Sequence, residues 1–260
     1  MAFTPIQQFR AGIEISPEYA YVAKASSRKN QVHIRHLSRV KIPTGILRPS
    51  FKNQNIIDEN ALTECLNNLK KDLKLSKASV ALPDSSVKIM IKVYKELPQS
   101  DQAVQEMIIW DSSNQLGIPP EDLRCAWEYM GTTPDGSHAL VVVSCLDTVI
   151  QQYESCLSRS GLKETIILPA GLSQFNFYAH LLPESGRFAY LGLFDAYITI
   201  FVFSNGLPVF YKTIRKGLLS GSVSSAIDDI DFLLQYYSSE FPDLELDQIF
   251  VASHIKSKLH

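Results

Sequence analysis

The chain has 260 residues, 45% of them hydrophobic, and its 25 basic and 27 acidic side chains give a formal net charge of −2. This composition is typical of a globular protein with one large domain or two modest ones, and the charges form no long run of one sign that would favour nucleic acid as a partner. No apolar stretch approaches the roughly 18 residues of a membrane-spanning helix, and residues 1–10 lack a signal-peptide pattern, so we expect a cytoplasmic protein with no direct membrane insertion.

The first third of the chain predicts a strand meander, then a helix and a further strand. Alternating apolar residues indicate strands at residues 10–15, 20–25 and 31–42. Leucines at helical spacing from Leu62 to Leu73 follow a candidate cap at Asp58. Ala78–Leu82 is a short apolar run that ends at a proline. This order is typical of an α/β layer.

The middle third predicts a compact α+β module. Strands are expected at residues 87–93, 123–129 and 139–144. Ser100 is a candidate cap for a helix after the first of these strands, and Asp147 is the candidate cap of a helix after the last. Gly161 is placed to end that second helix.

The last third repeats the pattern of the first. Strands are expected at residues 189–193, 197–203, 208–214 and 248–252. Asn205-Gly206 predicts a tight turn, because both residues tolerate a positive φ. Ile227, Ile230, Leu234 and Tyr237 predict one face of a helix, and we expect Asp228, Asp229 and Asp231 to lie on a solvated face. The two halves thus read as duplicated sheet-plus-helix lobes.

Four stretches of the chain carry a resemblance to a known family: Gly12-Ile13-Glu14-Ile15-Ser16, and residues 87–163, 190–211 and 230–242. In order, they resemble the first phosphate hairpin, the inserted module, the second phosphate hairpin and a late helix of the PilM family of the actin-like ATPase superfamily. The resemblance implies a mixed α/β, actin-like (ribonuclease H-like) two-lobe fold with an inserted small α+β module. The implied domains are residues 1–86, 87–163 and 164–260.

The first phosphate hairpin departs from the family pattern at two positions. Glu14 stands where the family has Asp, and Ser16 stands where it has Gly. In such sites glycines let backbone N–H groups approach the phosphates, and carboxylates hold the magnesium ion. Both changes weaken the case for nucleotide binding.

The other nucleotide motifs depart further. Counting back from Asn205-Gly206, taken as the tip of the second hairpin, puts Gly192 at the family's Asp and Phe194 at its Gly. Asp195 lies one residue along, and a shift of one residue in a strand turns a side chain to the opposite face. Ser253 and His254 stand where the family has glycines after the last strand. The sequence also has no C-x-x-C pair. We therefore expect no catalytic residue, no cofactor and no metal.

The resemblance implies an adaptor in an inner-membrane assembly platform of a type IV pilus or related secretion system. The expected partners are the cytoplasmic tail of a PilN-like protein and other platform proteins, which would hold the chain peripherally at the inner membrane. We expect the tail groove to have walls near residues 22–34 and 87–93.

Three alternatives stay open. One is a divergent ATPase in which Glu14 and Asp195 hold Mg-ATP. Another is a scaffold similar to the cytoplasmic part of GspL proteins of type II secretion. The last is a free-standing scaffold unrelated to pili.

Overall fold

The computed structural model describes residues 11–28, 31–73, 75–194, 197–215 and 225–253. The strands are β1 Ala11–Ile15, β2 Tyr19–Arg28, β3 Gln31–Lys41, β4 Lys77–Leu82, β5 Lys88–Tyr94, β6 Leu123–Thr132, β7 His138–Leu146, β8 Lys163–Pro169, β9 Arg187–Leu193, β10 Tyr197–Ser204, β11 Leu207–Arg215 and β12 Gln248–Ser253. The helices are α1 Glu59–Leu73, α2 Asp101–Leu116, α3 Asp147–Arg159, α4 Ala170–Tyr178 and α5 Ser225–Glu240.

The first lobe is a five-stranded sheet in the order β3-β2-β1-β4-β8, covered on one face by α1 and α3. In β1, the buried residues Ala11, Ile13 and Ile15 alternate with half-buried ones, as expected for a strand with one face on the core. Leu62 and Leu66 of α1 are fully buried against this face. The predicted α/β layer is therefore confirmed.

Strand β8 and helix α3 both belong to the first lobe. Strand β8 pairs in parallel with β4 as the fifth strand of the sheet, although six of its seven residues fall in the predicted second lobe. Tyr153 and Leu157 of α3 lie in the same core as the leucines of α1. The domain boundaries themselves stay a prediction.

The α3 helix is also joined to the first lobe by one amide side chain. Gln152 Oε1 accepts hydrogen bonds from the backbone N–H groups of Asn55 and Ile56, at 2.9 and 3.3 Å. Its Nε2 donates to the Ile56 carbonyl at 3.0 Å. These bonds hold residues 55–56 against helix α3.

The inserted module has a three-stranded antiparallel sheet in the order β5-β7-β6. One face packs on α2, with Leu140 and Val142 in the core. The other face presents Ile89 and Ile91 to the second lobe. The predicted cap at Ser100 is confirmed, since its side chain accepts a hydrogen bond from Ala103 N.

The predicted cap at Asp147 is wrong. Helix α3 follows β7 directly, so its N-cap is Leu146, which makes no side-chain cap bond. Asp147 is the first helical residue and forms an ion pair with Arg124 at 2.6 Å. A carboxylate in the first turn still interacts favourably with the helix dipole.

The second lobe is a four-stranded sheet in the order β11-β10-β9-β12, covered by α5 on one face and by α4 on the other. Because both faces are covered, seven consecutive residues of β10 are buried, and its sequence reads as a continuous apolar run. The Asn205-Gly206 turn joins β10 to β11 with φ values of 49° and 80°. The predicted tight turn is confirmed.

Two details of the second lobe differ from the sequence-based expectations. Helix α4 was not predicted, because its nine residues are short and its apolar residues do not form one clear face. In α5, Leu233 is fully buried whereas Ile227 is exposed. Asp229 is also fully buried, so the expected solvated face is wrong for this aspartate and holds for Asp228 and Asp231.

In the part of the chain that the structure describes, no helix is long and apolar enough to cross a bilayer.

We predict that Gln152→Ala lowers the free energy of unfolding by about 1–3 kcal/mol, because two backbone N–H groups and one carbonyl lose their partner. Urea denaturation of the purified protein measures this change. The control is Gln151→Ala, since Gln151 bonds only to Asp147 on the exposed side of α3. Equal, small losses in both variants would contradict the proposed role of Gln152.

Candidate functional site

A cavity of about 1120 Å³ lies between the two lobes. It is bounded by the β1–β2 turn at Pro17 and Glu18, by residues 47–53, by residues 83–89 and by strand β11. Tyr197, at the start of β10, lines it from the second lobe. Both hairpins that the sequence assigns to phosphate binding thus reach this cleft.

The first hairpin uses its polar groups to close its own turn. Ser16 N donates to the Tyr19 carbonyl at 2.9 Å, and the Ser16 hydroxyl donates to the same oxygen at 2.9 Å. Tyr19 N donates back to Ser16 Oγ at 3.2 Å. Pro17, between them, has no N–H group. A phosphate at this turn would find few free backbone donors, a feature that Pro17 already indicates in the sequence.

The second hairpin is closed by aromatic packing. Phe194 is buried, and its ring stacks on Tyr197 with centroids 4.4 Å apart. Phe194 N donates to the Tyr197 carbonyl at 3.0 Å. A Cβ at Gly192 would lie 2.5 Å from Gln174 Oε1 of α4 and 3.0 Å from the Phe194 ring, so a side chain here would require these two groups to shift.

The tip of this hairpin is not where the sequence analysis placed it. The hairpin equivalent to β1–β2 is β9–β10, in which Leu193 pairs with Ile198 beside the turn. Asn205-Gly206 is the next turn, at the opposite end of the antiparallel strands. The assignment of Asn205-Gly206 to the phosphate-facing tip is therefore wrong, because one strand length separates the two turns.

The remaining predicted positions lie at the carboxyl ends of parallel strands. Glu14 is on β1 opposite Tyr21 of β2, and Ser253 is on β12 opposite Leu193. Ser253 thus lies near Gly192 and Phe194 at one end of the second sheet. Asp195 and His254 lie outside the described residues. The roles proposed for all these positions stay predictions.

The lining of the cleft includes a buried aspartate that the sequence patterns did not single out. Asp84 follows β4 of the first lobe and is 3% exposed. Its Oδ1 accepts from Gly171 N of α4 at 2.8 Å. Its Oδ2 accepts from Tyr211 OH at 2.6 Å, Thr199 Oγ1 at 3.1 Å and Thr213 Oγ1 at 3.2 Å. We call these five residues the Asp84 cluster.

The Asp84 cluster joins the two lobes through one carboxyl group. Thr199 and Thr213 are directly opposite each other on β10 and β11, so the sheet register brings both hydroxyl groups to the same point. Burial raises the pKa of Asp84 above its usual value, although the hydrogen bonds from Tyr211, Gly171 and the two threonines act in the opposite direction. The signal in the sequence was Pro83-Asp84 directly after a buried strand.

Gly171 allows the backbone of α4 to approach this carboxyl group. A Cβ at Gly171 would overlap Asp84 Oδ2 and would lie 2.6 Å from Tyr211 OH. As long as Asp84 and Tyr211 keep these positions, only glycine fits at residue 171.

The rim of the cleft is basic. Arg48, Lys52, Lys88, Lys212 and Arg215 line the cavity. Lys212 Nζ lies 3.2 Å from the centroid of the Tyr236 ring, a cation–π contact that fixes its position. The exposed acidic residue of the lining is Glu18. This arrangement favours anionic groups at the rim and disfavours them beside Asp84.

No group of His, Cys, Asp or Glu residues in the described ranges has the geometry to hold a metal ion.

A second cavity of about 320 Å³ lies between the first lobe and the inserted module. Residues 166–169 of β8 and Ile150 of α3 form one wall, and Cys125, Ala126 and Val143 of the module form the other. Its walls are mainly apolar. None of the described residues between 22 and 34 lines either cavity, whereas residues 87–89 line the large cleft. The tail groove expected from the sequence stays a prediction.

Comparison with known proteins finds similarity at the level of structure alone. No protein-family model and no curated protein sequence matches this chain. A chain of the PilM–PilN type IV pilus biogenesis complex superposes with a TM-score of 0.71 at 12% identity, over 94% of this chain and 81% of that chain.

Two further structures are similar. The cytoplasmic domain of EpsL, an inner-membrane component of the type II secretion system of Vibrio cholerae, gives a TM-score of 0.56 at 11% identity, over 95% of this chain and 83% of that chain. A Bacteroides thetaiotaomicron protein of unknown function with an actin-like ATPase fold gives a TM-score of 0.53 at 11% identity, over 99% of this chain and 87% of that chain. The predicted actin-like fold is confirmed.

We predict that Gly171→Ala lowers the free energy of unfolding by about 2 kcal/mol or more, because the new methyl group overlaps the Asp84 carboxyl group. The matched control is Gly12→Ala, where an added Cβ meets no atom within 4 Å. Thermal and urea unfolding of both variants measure the difference. A Gly171→Ala variant as stable as Gly12→Ala would contradict this geometry.

We also predict that Asp84 gives a specific pH dependence of stability. Because the pKa of Asp84 is higher in the folded state than in the unfolded state, protonation of this carboxyl group stabilises the fold. This contribution is fully present below the pKa of the unfolded state, and it is lost as the pH rises through the pKa of the folded state. The free energy of unfolding of the wild type should therefore rise relative to Asp84→Asn as the pH falls from neutrality toward about 4. Denaturant titrations of both proteins across this range test the sign. A difference that is constant or falls would contradict it.

Proposed function

We propose that this chain is a non-catalytic, actin-like scaffold of a type IV pilus or related secretion assembly platform, which binds a short cytoplasmic tail of an inner-membrane partner. The observation that carries the proposal is the Asp84 cluster. A carboxyl group in the lining of the interlobe cleft accepts hydrogen bonds from α4, β10 and β11. Its oxygens are engaged by the protein, and they supply none of the N–H donors on which a phosphate site depends.

The two hairpins support the same conclusion. Ser16 and Tyr19 use their N–H groups within the first turn, and Pro17 supplies none. In the second hairpin, the ring of Phe194 fills the space beside Tyr197. Phosphate binding at such turns depends on free backbone N–H groups and on space for close approach. Both requirements are poorly met.

The apolar cavity between the first lobe and the module is the proposed site for the partner's tail. Its volume of about 320 Å³ and its apolar walls fit a few hydrophobic side chains of an extended peptide. The PilM–PilN complex and the inner-membrane component EpsL, whose structures are similar, are the reason to propose a PilN-like tail. Such an interaction would hold the chain at the cytoplasmic side of the inner membrane.

A divergent Mg-ATP-binding protein is the second candidate, and the basic rim of the cleft favours it. Lys212 and Arg215 could contact phosphates from side chains rather than from backbone N–H groups. In this case Glu14 and Asp195 would hold magnesium.

We predict that calorimetric titration with ATP and magnesium gives no heat and that millimolar ATP does not raise the melting temperature, since a ligand that prefers the folded state must stabilise it by mass action. Binding that Glu14→Ala or Lys212→Ala weakens, while the control Lys95→Ala does not, would instead establish the second candidate. Lys95 is exposed and does not line the cleft.

We predict that a synthetic peptide with the sequence of a PilN-like cytoplasmic tail binds the purified protein at micromolar concentration. Ala126→Trp should weaken binding by about tenfold or more, because the indole fills the apolar cavity from an exposed position. Glu121→Trp, on the module surface outside the cavity, is the control. Absence of binding at tens of micromolar, or equal binding by both variants, would contradict the proposal.

A further inference from the structure

The apolar cavity between the first lobe and the module is bounded by the edges of two strands. Residues 166–169 of β8 and residues 124–126 of β6 line it as unbroken runs. Successive side chains of a strand point to opposite faces of its sheet, so a cavity above one face would be lined by alternate residues. The consecutive residues therefore indicate that the cavity faces the backbone edge of each strand.

Both edges end their sheets. Strand β8 pairs with β4, strand β6 pairs with β7, and each is the last strand of its sheet. The backbone is described without a gap over residues 119–137 and 160–172, which contain the two strands and the chain on both sides of them. An edge strand presents N–H and C=O groups that its single neighbour does not use. The cavity is thus a slot with backbone donors and acceptors on two sides, and we call it the β6–β8 slot.

One carbonyl group of the β6 residues in this lining is bonded to a side chain. The Cys125 carbonyl accepts a hydrogen bond from Gln105 Nε2 of α2 at 2.8 Å. A carbonyl oxygen has two lone pairs and can accept a second hydrogen bond. The contact with Gln105 is therefore compatible with a strand beside β6.

The interior of the β6–β8 slot suits apolar side chains. Ile150 of α3, Val143 and Cys145 of β7, and Val87 line it. Every second side chain of a strand that lay in the slot would point toward this apolar wall. An extended segment with apolar residues at alternate positions would thus match both the backbone edges and the wall.

The charged groups at the slot favour a basic residue in its occupant. Arg124 of β6 forms ion pairs with Asp147 at 2.6 Å and with Glu154 at 2.5 Å, both on α3. Arg124 and Glu154 belong to the lining of the slot. Two carboxylates therefore face one guanidinium group, and the local net charge is negative.

Glu128 adds a carboxyl group with no protein partner. It lies two residues beyond Ala126 on the same face of β6, about 7 Å along the strand. It is half-buried, and no hydrogen bond or ion pair joins it to another described residue. Burial raises the pKa of this carboxyl group above its usual value. A cation beside it would offset the cost of burying its charge.

We propose that the β6–β8 slot binds the partner's segment as an added β-strand, which pairs with β8 on one side and with β6 on the other and places a basic residue beside Glu128. This inference rests on the proposed function and adds the conformation and the charge of the tail. The added strand joins the five-stranded sheet of the first lobe to the three-stranded sheet of the module. Backbone pairing supplies affinity, and the alternate side chains supply selectivity.

Hydrogen exchange with two synthetic peptides tests the strand site separately from the identity of the partner. One peptide has the sequence of a PilN-like cytoplasmic tail. The other is a model strand of alternating leucine and threonine with one lysine at its amino or its carboxyl end. With bound peptide, at least one amide within residues 124–126 and one within residues 166–168 should exchange about tenfold more slowly or less, whereas amides of β3 should not change.

The outcomes separate the two proposals. Protection of both edges by the model strand, without binding of the tail, would support the strand site and contradict the proposed function. Binding of the tail without protection of both edges would overturn the strand site and leave the proposed function standing. If neither peptide binds at tens of micromolar, both proposals are wrong.

Methylation of the peptide backbone supplies a second measurement. Neighbouring residues of a strand that is paired on both sides donate their N–H groups to opposite edges. A methyl group on the nitrogen of either of two adjacent central residues should therefore weaken binding about tenfold, whereas the same group on a terminal residue should not. Loss of affinity at alternate positions alone would indicate pairing with a single edge and would overturn the proposal.

The basic residue is tested through Glu128. Glu128→Gln should weaken binding of the tighter lysine-bearing model strand about fivefold and should not weaken binding of the same peptide with methionine in place of lysine. The matched control is Glu106→Gln, on the exposed side of α2. Equal binding of the lysine and methionine peptides to the wild type would overturn the role assigned to Glu128.

Discussion

Asp84 lies where the first lobe meets the second, and its carboxyl group is almost completely removed from water. A buried carboxyl group is costly unless hydrogen bonds replace its lost hydration. Here the donors come from α4, β10 and β11, so the register of β10 with β11 and the start of α4 are all tied to one residue of the first lobe. The relative position of the lobes depends on this compensation.

The requirement extends beyond the side chains that donate hydrogen bonds to Asp84. Gly171 must lack a side chain, because α4 approaches the carboxyl group through its backbone. Once α4 is held there, Phe175 stacks on Phe203 with centroids 5.0 Å apart and lies 4.9 Å from Phe201, so the aromatic core of the second lobe is built on this helix. Helix α4 directly follows β8 in the chain, and β8 pairs with β4. The aromatic core of the second lobe is thus connected to the first sheet.

Much of the fold was determined by local pattern in the sequence. Alternation in β1, the leucine spacing of α1 and the Asn205-Gly206 turn each depend on residues close in the chain, and each was predicted correctly. The duplicated order of strands and helices, together with the similarity of short stretches to a known family, was sufficient to predict the actin-like fold. The departure of the first hairpin from the family pattern was also visible, since Ser16 stands where the family has Gly.

Other features were decided only by the tertiary structure. Asp84 looks like an ordinary turn residue in the sequence, because its four donors lie between 87 and 129 residues away. The tip of the second hairpin was misplaced for the same reason, since strand pairing, not the Asn205-Gly206 signal, fixes which turn faces the cleft. Burial of Asp229 likewise depends on how α5 lies on its sheet. Apart from α4, the sequence by itself determined the helices and strands and their order, whereas the contacts between lobes depend on distant residues that only the folded chain brings together.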